Sequence, residues 1–281
     1  SFSPLICFAI KSNTNVNLIN EIKRFGLGAD VVSKGELMIA MKAGINPKKI
    51  VFSGVGKTSE EISYAIDKKI LLINAESHSE IKEIDRIARL KKKKIKVGIR
   101  LNPNTDAKTI SQISTGKKEN KFGVNEKTLI KLIKFCKKAQ NIELKCLSVH
   151  IGSQILDHKP YEKMLKIIDR IINKIDYKFD FIDLGGGMGI SYTNGSKKLN
   201  YRKYNIAIKK FLKKNKSKII FEPGRSIIGD VGYLVSQITY IKNNEKKNFV
   251  ILDAGMNDLM RPALYGATHK TLPSLKRNKK S

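Results

Sequence analysis

The sequence predicts a (β/α)8 barrel followed by part of a C-terminal β domain. Eight short apolar runs alternate with amphipathic segments over the first 221 residues, and this alternation stops after Gly229. Strands that are apolar on both faces and joined by helices indicate a parallel sheet. Eight such strands in this length fit a closed barrel better than an open doubly wound sheet.

The elements follow one another at regular spacing. The predicted strands cover residues 5–10, 29–32, 50–52, 71–74, 97–101, 144–150, 179–184 and 218–221. The predicted helices cover 16–25, 35–43, 59–67, 79–90, 127–138, 160–172 and 201–212. Each helix has one apolar face, which predicts packing against the sheet. A polar insert at 102–121 is longer than a tight turn needs, so we expect a functional loop there.

A different pattern begins near residue 231. Residues 231–241 and 249–254 resemble strands linked by a polar turn at 243–248, and a basic tail covers 276–281. We therefore expect one domain at 1–230, the barrel, and a second at 231–281, a partial β domain. Because the first strand begins at residue 5 and the second domain is short, we expect this sequence to be part of a longer chain.

The amino-acid composition excludes several classes of protein. Apolar residues make up 41% and charged residues 28%, which is typical of a globular chain. No apolar run approaches the roughly 18 residues of a membrane span, so we expect no membrane association. The three cysteines, Cys7, Cys136 and Cys146, lie too far apart for a CxxC metal or redox site and are odd in number. These observations predict a cytoplasmic protein without a metal.

The formal net charge of +30 raises the question of nucleic-acid binding. It comes from 46 lysines against 9 arginines, and the lysines are scattered along predicted helical faces. Specific nucleic-acid recognition usually uses the planar arginine fork and aromatic stacking platforms. We therefore interpret the charge as a solvated basic surface, and a salt titration on DNA would separate this reading from a nucleic-acid-binding protein.

The carboxyl ends of barrel strands build the active site, so the residues after each strand are informative. Gly185, Gly186 and Gly187 follow strand seven, and Gly224 and Arg225 follow strand eight. Glycine allows several backbone N–H groups to approach one phosphate closely, and barrels often bind phosphate after strands seven and eight. The sequence therefore predicts a phosphate site at this part of the rim.

A lysine and a glutamate complete the predicted chemistry. Lys11 directly follows strand one, where burial would lower its pKa and leave an amine able to attack a carbonyl. A lysine facing a phosphate clamp suits pyridoxal 5'-phosphate, whose aldehyde forms a Schiff base. Glu222, after strand eight, would keep the ring nitrogen of this cofactor protonated.

Two further residues have two readings each. His150 follows strand six and either stacks on the cofactor ring or is a satisfied core histidine. Ser153 either donates to the phosphate or caps a helix.

Four motifs in order resemble the fold-type III, alanine-racemase-like pyridoxal-phosphate decarboxylases. They are FAIKSN at 8–13, VHIGSQ at 149–154, GGG at 185–187 and EPGR at 222–225. Two more segments, FSGVGKT at 52–58 and DAGMNDLMRPALYGA at 253–267, are similar to the diaminopimelate decarboxylases within that group.

The resemblance implies roles for individual residues. Lys11 and His150 would be catalytic, and the substrate's distal carboxylate and amine would meet Arg225, Arg261 and Tyr265. The residues implied to bind the cofactor are Lys11, His150, Ser153, Gly185, Gly186, Gly187, Glu222, Pro223, Gly224 and Arg225. The implied reaction converts meso-2,6-diaminopimelate to L-lysine and carbon dioxide in a homodimer.

Some of the family's pattern is absent from this sequence. The family continues into a segment that supplies a cysteine to the neighbouring subunit and later a tyrosine to the cofactor. We therefore expect the 281-residue chain alone to decarboxylate poorly. Alternatives left open are a decarboxylase acting on ornithine, arginine or carboxynorspermidine, and a non-catalytic pyridoxal-phosphate-binding protein.

Overall fold

The protein is described from a computed structural model covering residues 2–105, 121–175, 177–192 and 198–274. It divides into two compact units. One comprises Ser1–Ile190 and Lys198–Asp230, and the other comprises Ser191–Lys197 and Val231–Ser281. Most of the predicted loop at 102–121, and the basic tail at 276–281, lie outside the described residues.

The first unit is a closed barrel of eight parallel strands, as the sequence predicts. The strands are β1 Leu5–Ala9, β2 Gly28–Val31, β3 Ile50–Phe52, β4 Leu72–Ala75, β5 Ile95–Arg100, β6 Ile142–Ser148, β7 Phe181–Asp183 and β8 Lys218–Phe221. Each strand pairs with the next, and β1 closes the barrel by pairing with β8 through Leu5 opposite Ile220. The predicted (β/α)8 barrel is thus confirmed.

The helices alternate with the strands, and several of them begin at a capping side chain. They are α1 Val16–Arg24, α2 Lys34–Lys42, α3 Ser59–Asp67, α4 His78–Leu90, α5 Glu126–Lys138, α6 Lys159–Ile175, α7 Tyr201–Lys214 and α8 Arg225–Ile228. Ser33, Thr58 and Ser77 each accept a backbone N–H of the helix that follows, and Thr58 forms a reciprocal capping box with Glu61. These caps satisfy donors that a helix start otherwise leaves unpaired, so each loop ends at a defined residue.

The side chains inside the barrel change from apolar to polar along its axis. Cys7, Val51, Leu72, Cys146 and Ile220 form one apolar cluster, separate from the core between strands and helices. Further along the strands the buried side chains become polar: Asp30, Asn74, Ser148, Asp183 and Glu222. Because buried polar groups need partners, this polar layer marks the end of the barrel where chemistry is expected.

The second unit contains a two-stranded antiparallel sheet, β9 Ile238–Asn243 with β10 Asn248–Leu252, and a short helix, α9 Arg261–Tyr265. The strand predicted at 231–241 is wrong over 231–237. β10 has only five residues, and its ladder ends where the side chain of Asp253 accepts the backbone N–H of Gln237. Residues before Gln237 therefore have no strand to pair with.

Within the described ranges, no helix combines the length and apolarity that crossing a membrane requires.

Candidate active site

A cavity of about 410 Å³ opens at the carboxyl ends of the barrel strands. Its walls come from the tips of most strands around the ring, beginning with β1 and ending with β8. Seven residues predicted from the sequence line it: Lys11, His150, Ser153, Gly187, Glu222, Gly224 and Arg225. These seven residues come from four widely separated segments of the chain and therefore meet around one space.

Lys11 lies in a single 3-10 turn, Ile10–Ser12, directly after β1. The Ser12 hydroxyl donates to the Ala9 carbonyl at 2.6 Å, which holds this turn against the strand end. The Lys11 Nζ lies 3.6 Å from the Oδ2 of Asp30, a residue on the neighbouring strand β2 that is only 1% exposed.

The charge of Asp30 controls the protonation of Lys11. The nearby Asp30 carboxylate raises the pKa of Lys11, and loss of hydration opposes this effect more weakly. The sequence-based expectation of a lowered pKa is therefore wrong for the protein described here. Its cause is an acid on an adjacent strand, and the two residues are brought together only by the parallel pairing that sets Ala9 opposite Asp30.

Three carboxyl groups, from Asp30, Asp183 and Glu222, lie buried inside the barrel. Burial raises the pKa of Glu222 well above its usual value, and the charges of Asp183 and Asp30 add to this. Burial likewise raises the pKa values of Asp30 and Asp183. A cationic group entering the cavity beside Glu222 would relieve this accumulation of acids.

Asp183 and Glu222 are held by a polar network. Asp183 Oδ2 accepts hydrogen bonds from Asn74 Nδ2 and Ser148 Oγ, both at 2.9 Å. Ser53 Oγ accepts from Asn74 Nδ2 at 3.2 Å and donates to Glu222 Oε1 at 3.3 Å. The Glu222 carboxyl is thereby held by Ser53, which also lines the cavity.

The glycine turn after β7 needs its three glycines. Gly185 and Gly187 have φ angles of +63° and +86°, in the left-handed region that other residues rarely adopt. A Cβ on Gly186 would lie 2.1 Å from the Glu222 carbonyl oxygen, and one on Gly187 would lie 2.2 Å from that of Gly152. The turn is therefore packed against the loops after β6 and β8 with no room for side chains.

The same turn leaves donors available at the cavity. Gly187 and Gly224 line it, and neither backbone N–H makes a hydrogen bond to any residue that the structure describes. The Ser153 hydroxyl lies 3.4 Å from an Arg225 guanidinium nitrogen at the same wall. Backbone N–H groups with a hydroxyl and an arginine are donors that suit a phosphate.

His150 is oriented by the glycine turn. Its Nδ1 accepts the backbone N–H of Gly186 at 3.1 Å, so the ring's own proton is on Nε2. Loss of hydration, and then the positive charges of Arg100 and Lys11, lower the pKa of His150 well below its usual value. The ring at the cavity wall is therefore neutral, which suits the stacking reading of this residue.

Three predicted residues lie behind the cavity wall. Gly185 donates its N–H to Asp183 Oδ1 at 2.9 Å, and the Gly186 carbonyl accepts the hydroxyl of buried Tyr161 at 3.2 Å. The Pro223 carbonyl accepts the Ala9 N–H at 3.0 Å and so closes the seam between β8 and β1. These residues shape the site from behind.

Arg100, at the end of β5, lines the cavity, although the sequence analysis assigned it no role. Its guanidinium donates to Glu76 Oε1 at 2.9 Å and lies 4.8 Å from the centre of the Phe122 ring. The other oxygen of Glu76 accepts the N–H of Gly123 at 2.9 Å. This positive charge at the cavity opposes protonation of both Lys11 and His150.

Arg261 and Tyr265, the other predicted substrate residues, lie on α9 in the second unit. The Arg261 guanidinium donates to the Tyr192 hydroxyl at 2.6 Å and lies 4.7 Å from the centre of that ring. Their predicted role toward substrate stays a prediction.

Comparison with known proteins gives the family. The family described as pyridoxal-dependent decarboxylase, pyridoxal binding domain, matches residues 3–229. This chain belongs to that family. Its cofactor is therefore pyridoxal phosphate, and the family resemblance drawn from the sequence motifs is confirmed.

Individual relatives are more specific. The chain is 42% identical over 273 residues to diaminopimelate decarboxylase of Aquifex aeolicus, covering 96% of this chain and 65% of the relative. It is 45% identical over 269 residues to that of Helicobacter pylori strain J99, covering 94% and 66%. The chain thus spans about two thirds of the length of the curated relatives that it matches.

Solved structures of enzymes with the same name are similar to this chain over most of its length. The Helicobacter pylori diaminopimelate decarboxylase complexed with L-lysine has a TM-score of 0.92 at 43% identity, over 96% of this chain and 68% of that one. The M. jannaschii enzyme in co-complex with L-lysine has a TM-score of 0.87 at 36% identity, over 95% and 64%.

The residues present fit the family's cofactor. A glycine cradle without room for side chains offers two uncommitted N–H groups, a lysine lies at the same cavity, and a buried carboxyl with a raised pKa adjoins it. Both oxygens of buried Asp30 also lack a hydrogen-bond partner among the described residues. Within these same ranges, no cluster of His, Cys, Asp and Glu has the arrangement of a metal site.

Proposed function

We propose that this protein catalyses the pyridoxal-phosphate-dependent decarboxylation of meso-2,6-diaminopimelate to L-lysine and carbon dioxide. The observation that carries the proposal is the single cavity that joins Lys11, the glycine turn and Glu222. The substrate assignment is supported by relatives at 42% and 45% identity that bear the name diaminopimelate decarboxylase.

Each predicted site residue has a task in this proposal. Lys11 would hold the cofactor through its aldehyde, while Ser153, Gly187, Gly224 and Arg225 would hold the phosphate. Gly185, Gly186 and Pro223 fix the turn that presents these donors. Glu222 would bind the ring nitrogen, and His150 would contact the ring. When bound, the cofactor would supply an electron sink for the pair left behind when the α-carboxylate departs as carbon dioxide.

Proton handling falls to Lys11 and Asp30. A lysine amine attacks a carbonyl only in its neutral form, whereas the Asp30 charge favours protonated Lys11. Asp30 is buried, has a raised pKa, and lies 3.6 Å from the amine. The Asp30 carboxylate would therefore stabilise the ammonium form of Lys11 whenever the amine is released.

Arg100 is a second charged residue with a role in the proposed reaction. Its guanidinium, held by buried Glu76, lines the cavity and would attract a carboxylate of the substrate there. On the distal side of the substrate we propose Arg225, Arg261 and Tyr265. An arginine fork binds both oxygens of a carboxylate, which suits the second carboxylate of diaminopimelate and not the basic end of ornithine or arginine.

The test has a binding part and a turnover part. Adding pyridoxal phosphate should produce the absorbance band of a lysine-bound cofactor, which should be absent in Lys11→Ala and weakened in Gly186→Asp. An unchanged band in Lys11→Ala would show that another lysine is used.

Turnover separates the substrate alternatives. Slow carbon dioxide release from meso-diaminopimelate by the 281-residue chain, with none from ornithine, arginine or carboxynorspermidine, is the expected result. Release only from a basic amino acid would replace the proposed substrate, and a cofactor band with release from none would favour a non-catalytic binding protein.

We further propose a homodimer in the cytoplasm. The resemblance to decarboxylases that share residues between subunits supports the dimer, and light scattering tests it. Cys7, Cys136 and Cys146 are all free and buried, which supports a reducing compartment.

A further inference from the structure

Lys57 is a buried charged residue for which the proposed chemistry has no use. It lies in the loop between β3 and α3, and its side chain is 1% exposed. The ammonium donates to the carbonyl oxygens of Gly54 and Asn74 and to Glu80 Oε1, the last two at 2.8 and 2.6 Å. An ammonium has three N–H donors, so all of them are used in binding these three groups.

The position of this ion pair indicates a role in geometry. A buried pair contributes little net stability, because the loss of hydration offsets the attraction of its charges. The ion pair between Lys57 and Glu80 does, however, hold the groups around it in defined positions. Lys57 joins the main chain just after β3, at Gly54, to the main chain of β4, at Asn74, while Glu80 Oε2 accepts the Glu76 N–H at 2.7 Å. The tips of two adjacent strands are thereby held together.

The side chains on those two tips support Glu222. Ser53, next to Gly54, donates to Glu222 Oε1, and Asn74 bonds both Ser53 and Asp183. Asn74 has room only because residue 98 is glycine, since a Cβ there would lie 2.0 Å from Asn74 Oδ1. A small shift of either strand tip would break this line of hydrogen bonds.

We propose that Lys57 is a positioning residue that, through Ser53 and Asn74, sets the orientation of Glu222 toward the cofactor ring. This inference rests on the proposed cofactor site. It predicts that Lys57 affects recognition of the ring and not recognition of the phosphate, which is bound by the loops after β6, β7 and β8.

Lys57→Met removes the three donors and keeps the length of the side chain. We expect pyridoxal phosphate to bind about tenfold more weakly or worse, while the affinity for inorganic phosphate stays within about twofold. The matched control is Lys91→Met. Lys91 also forms an ion pair between α4 and α3, with Asp67 at 2.6 Å, but at the opposite end of the barrel. It should change neither affinity. Equal losses of both ligands in Lys57→Met, or no loss, would overturn the proposal.

A thermodynamic cycle tests whether the effect passes through Glu222. In a Glu222→Gln background, Lys57→Met should weaken pyridoxal phosphate binding by no more than about twofold further. Fully additive losses would mean that Lys57 acts elsewhere. If Lys57→Met fails to fold because Glu80 is left unpaired, Lys57→Met/Glu80→Met removes both charges and should show the same loss of cofactor affinity. A wild-type protein that binds no cofactor would refute the proposed site itself, whereas wild-type binding with unaffected variants would refute only the role of Lys57.

Discussion

Replacing Gly187 by alanine tests the glycine cradle directly. Gly187 has a φ of +86°, and an added Cβ would lie 2.2 Å from the Gly152 carbonyl oxygen. The left-handed backbone costs an alanine about 1–2 kcal/mol, and forcing an atom into a packed site costs about 1–3 kcal/mol. We therefore expect Gly187→Ala to lower the free energy of unfolding by about 2–5 kcal/mol.

Gly26→Ala is the matched control for backbone strain. Gly26 has a φ of +78°, but an added Cβ would meet no atom within 4 Å. It should cost only about 1–2 kcal/mol. The difference between the two variants isolates the steric term that arises from the packing of the turn against the loop after β6.

The assay is urea unfolding of the cofactor-free protein, followed by circular dichroism because the chain has no tryptophan. A cofactor titration accompanies it. Gly187→Ala should weaken pyridoxal phosphate binding at least about tenfold by moving an N–H donor at the cavity, and Gly26→Ala should leave binding unchanged. Equal unfolding free energies for the two variants, together with wild-type affinity in Gly187→Ala, would refute the reasoning.

Three other predictions follow from buried groups. Burial raises the pKa of Glu222, so the folded state keeps this proton to higher pH than the unfolded state does, and the carboxyl destabilises the fold as pH rises above about 4.3. In cofactor-free protein, Glu222→Gln should remove this decline, which amounts to up to about 1.4 kcal/mol in the free energy of unfolding per pH unit. An unchanged pH dependence of unfolding in the variant would contradict this prediction. Tyr161→Phe removes the hydroxyl that binds the Gly186 carbonyl and should cost about 1 kcal/mol and weaken cofactor binding, while Tyr177→Phe, which loses a bond to the Leu144 carbonyl, should affect stability alone. Equal cofactor affinities in the two tyrosine variants would argue against a role for Tyr161 behind the turn. Burial raises the pKa of Cys136 to about 12, and Cys7 and Cys146 are also buried with raised pKa values. All three thiols should therefore resist a maleimide at pH 7.5 and react in urea, and rapid labelling of the folded protein would contradict their burial.

The barrel and the site rim could be predicted because each depends on local patterns. Apolar runs separated by helical periods specify parallel strands, and parallel strands bring their carboxyl ends to one place. Lys11, Gly187 and Glu222 could thus be grouped without any contact information. The strand predicted at 231–241 was wrong over 231–237 because its length is set by the five-residue partner β10, which no local pattern reveals.

The acids and cations inside the barrel were harder to predict. Asp30, Arg100 and Asp183 are buried charged residues in strands that are mostly apolar, and a charged residue in a buried run is a signal of function that could have been used. What the sequence could not show is which of these charges meet. The pKa of Lys11 rises because Asp30 is 3.6 Å away, a distance that depends on the register of β1 and β2.

Lys57 gave a weaker signal. It lies in the FSGVGKT segment at 52–58, which resembles the diaminopimelate decarboxylases, but it is one of 46 lysines and lies in a loop, where the ordinary expectation is a solvated side chain. Its burial follows from three acceptors that converge from the β3–α3 loop, β4 and α4, which only the folded chain brings together.

The most direct test of the central claim is to identify the lysine that binds the cofactor. Borohydride reduction of the protein with bound pyridoxal phosphate, followed by peptide mapping by mass spectrometry, fixes the cofactor where it is attached. We expect one phosphopyridoxyl group per chain, on the peptide that contains Lys11. Attachment at a different lysine, or spread over many of the surface lysines, would contradict it.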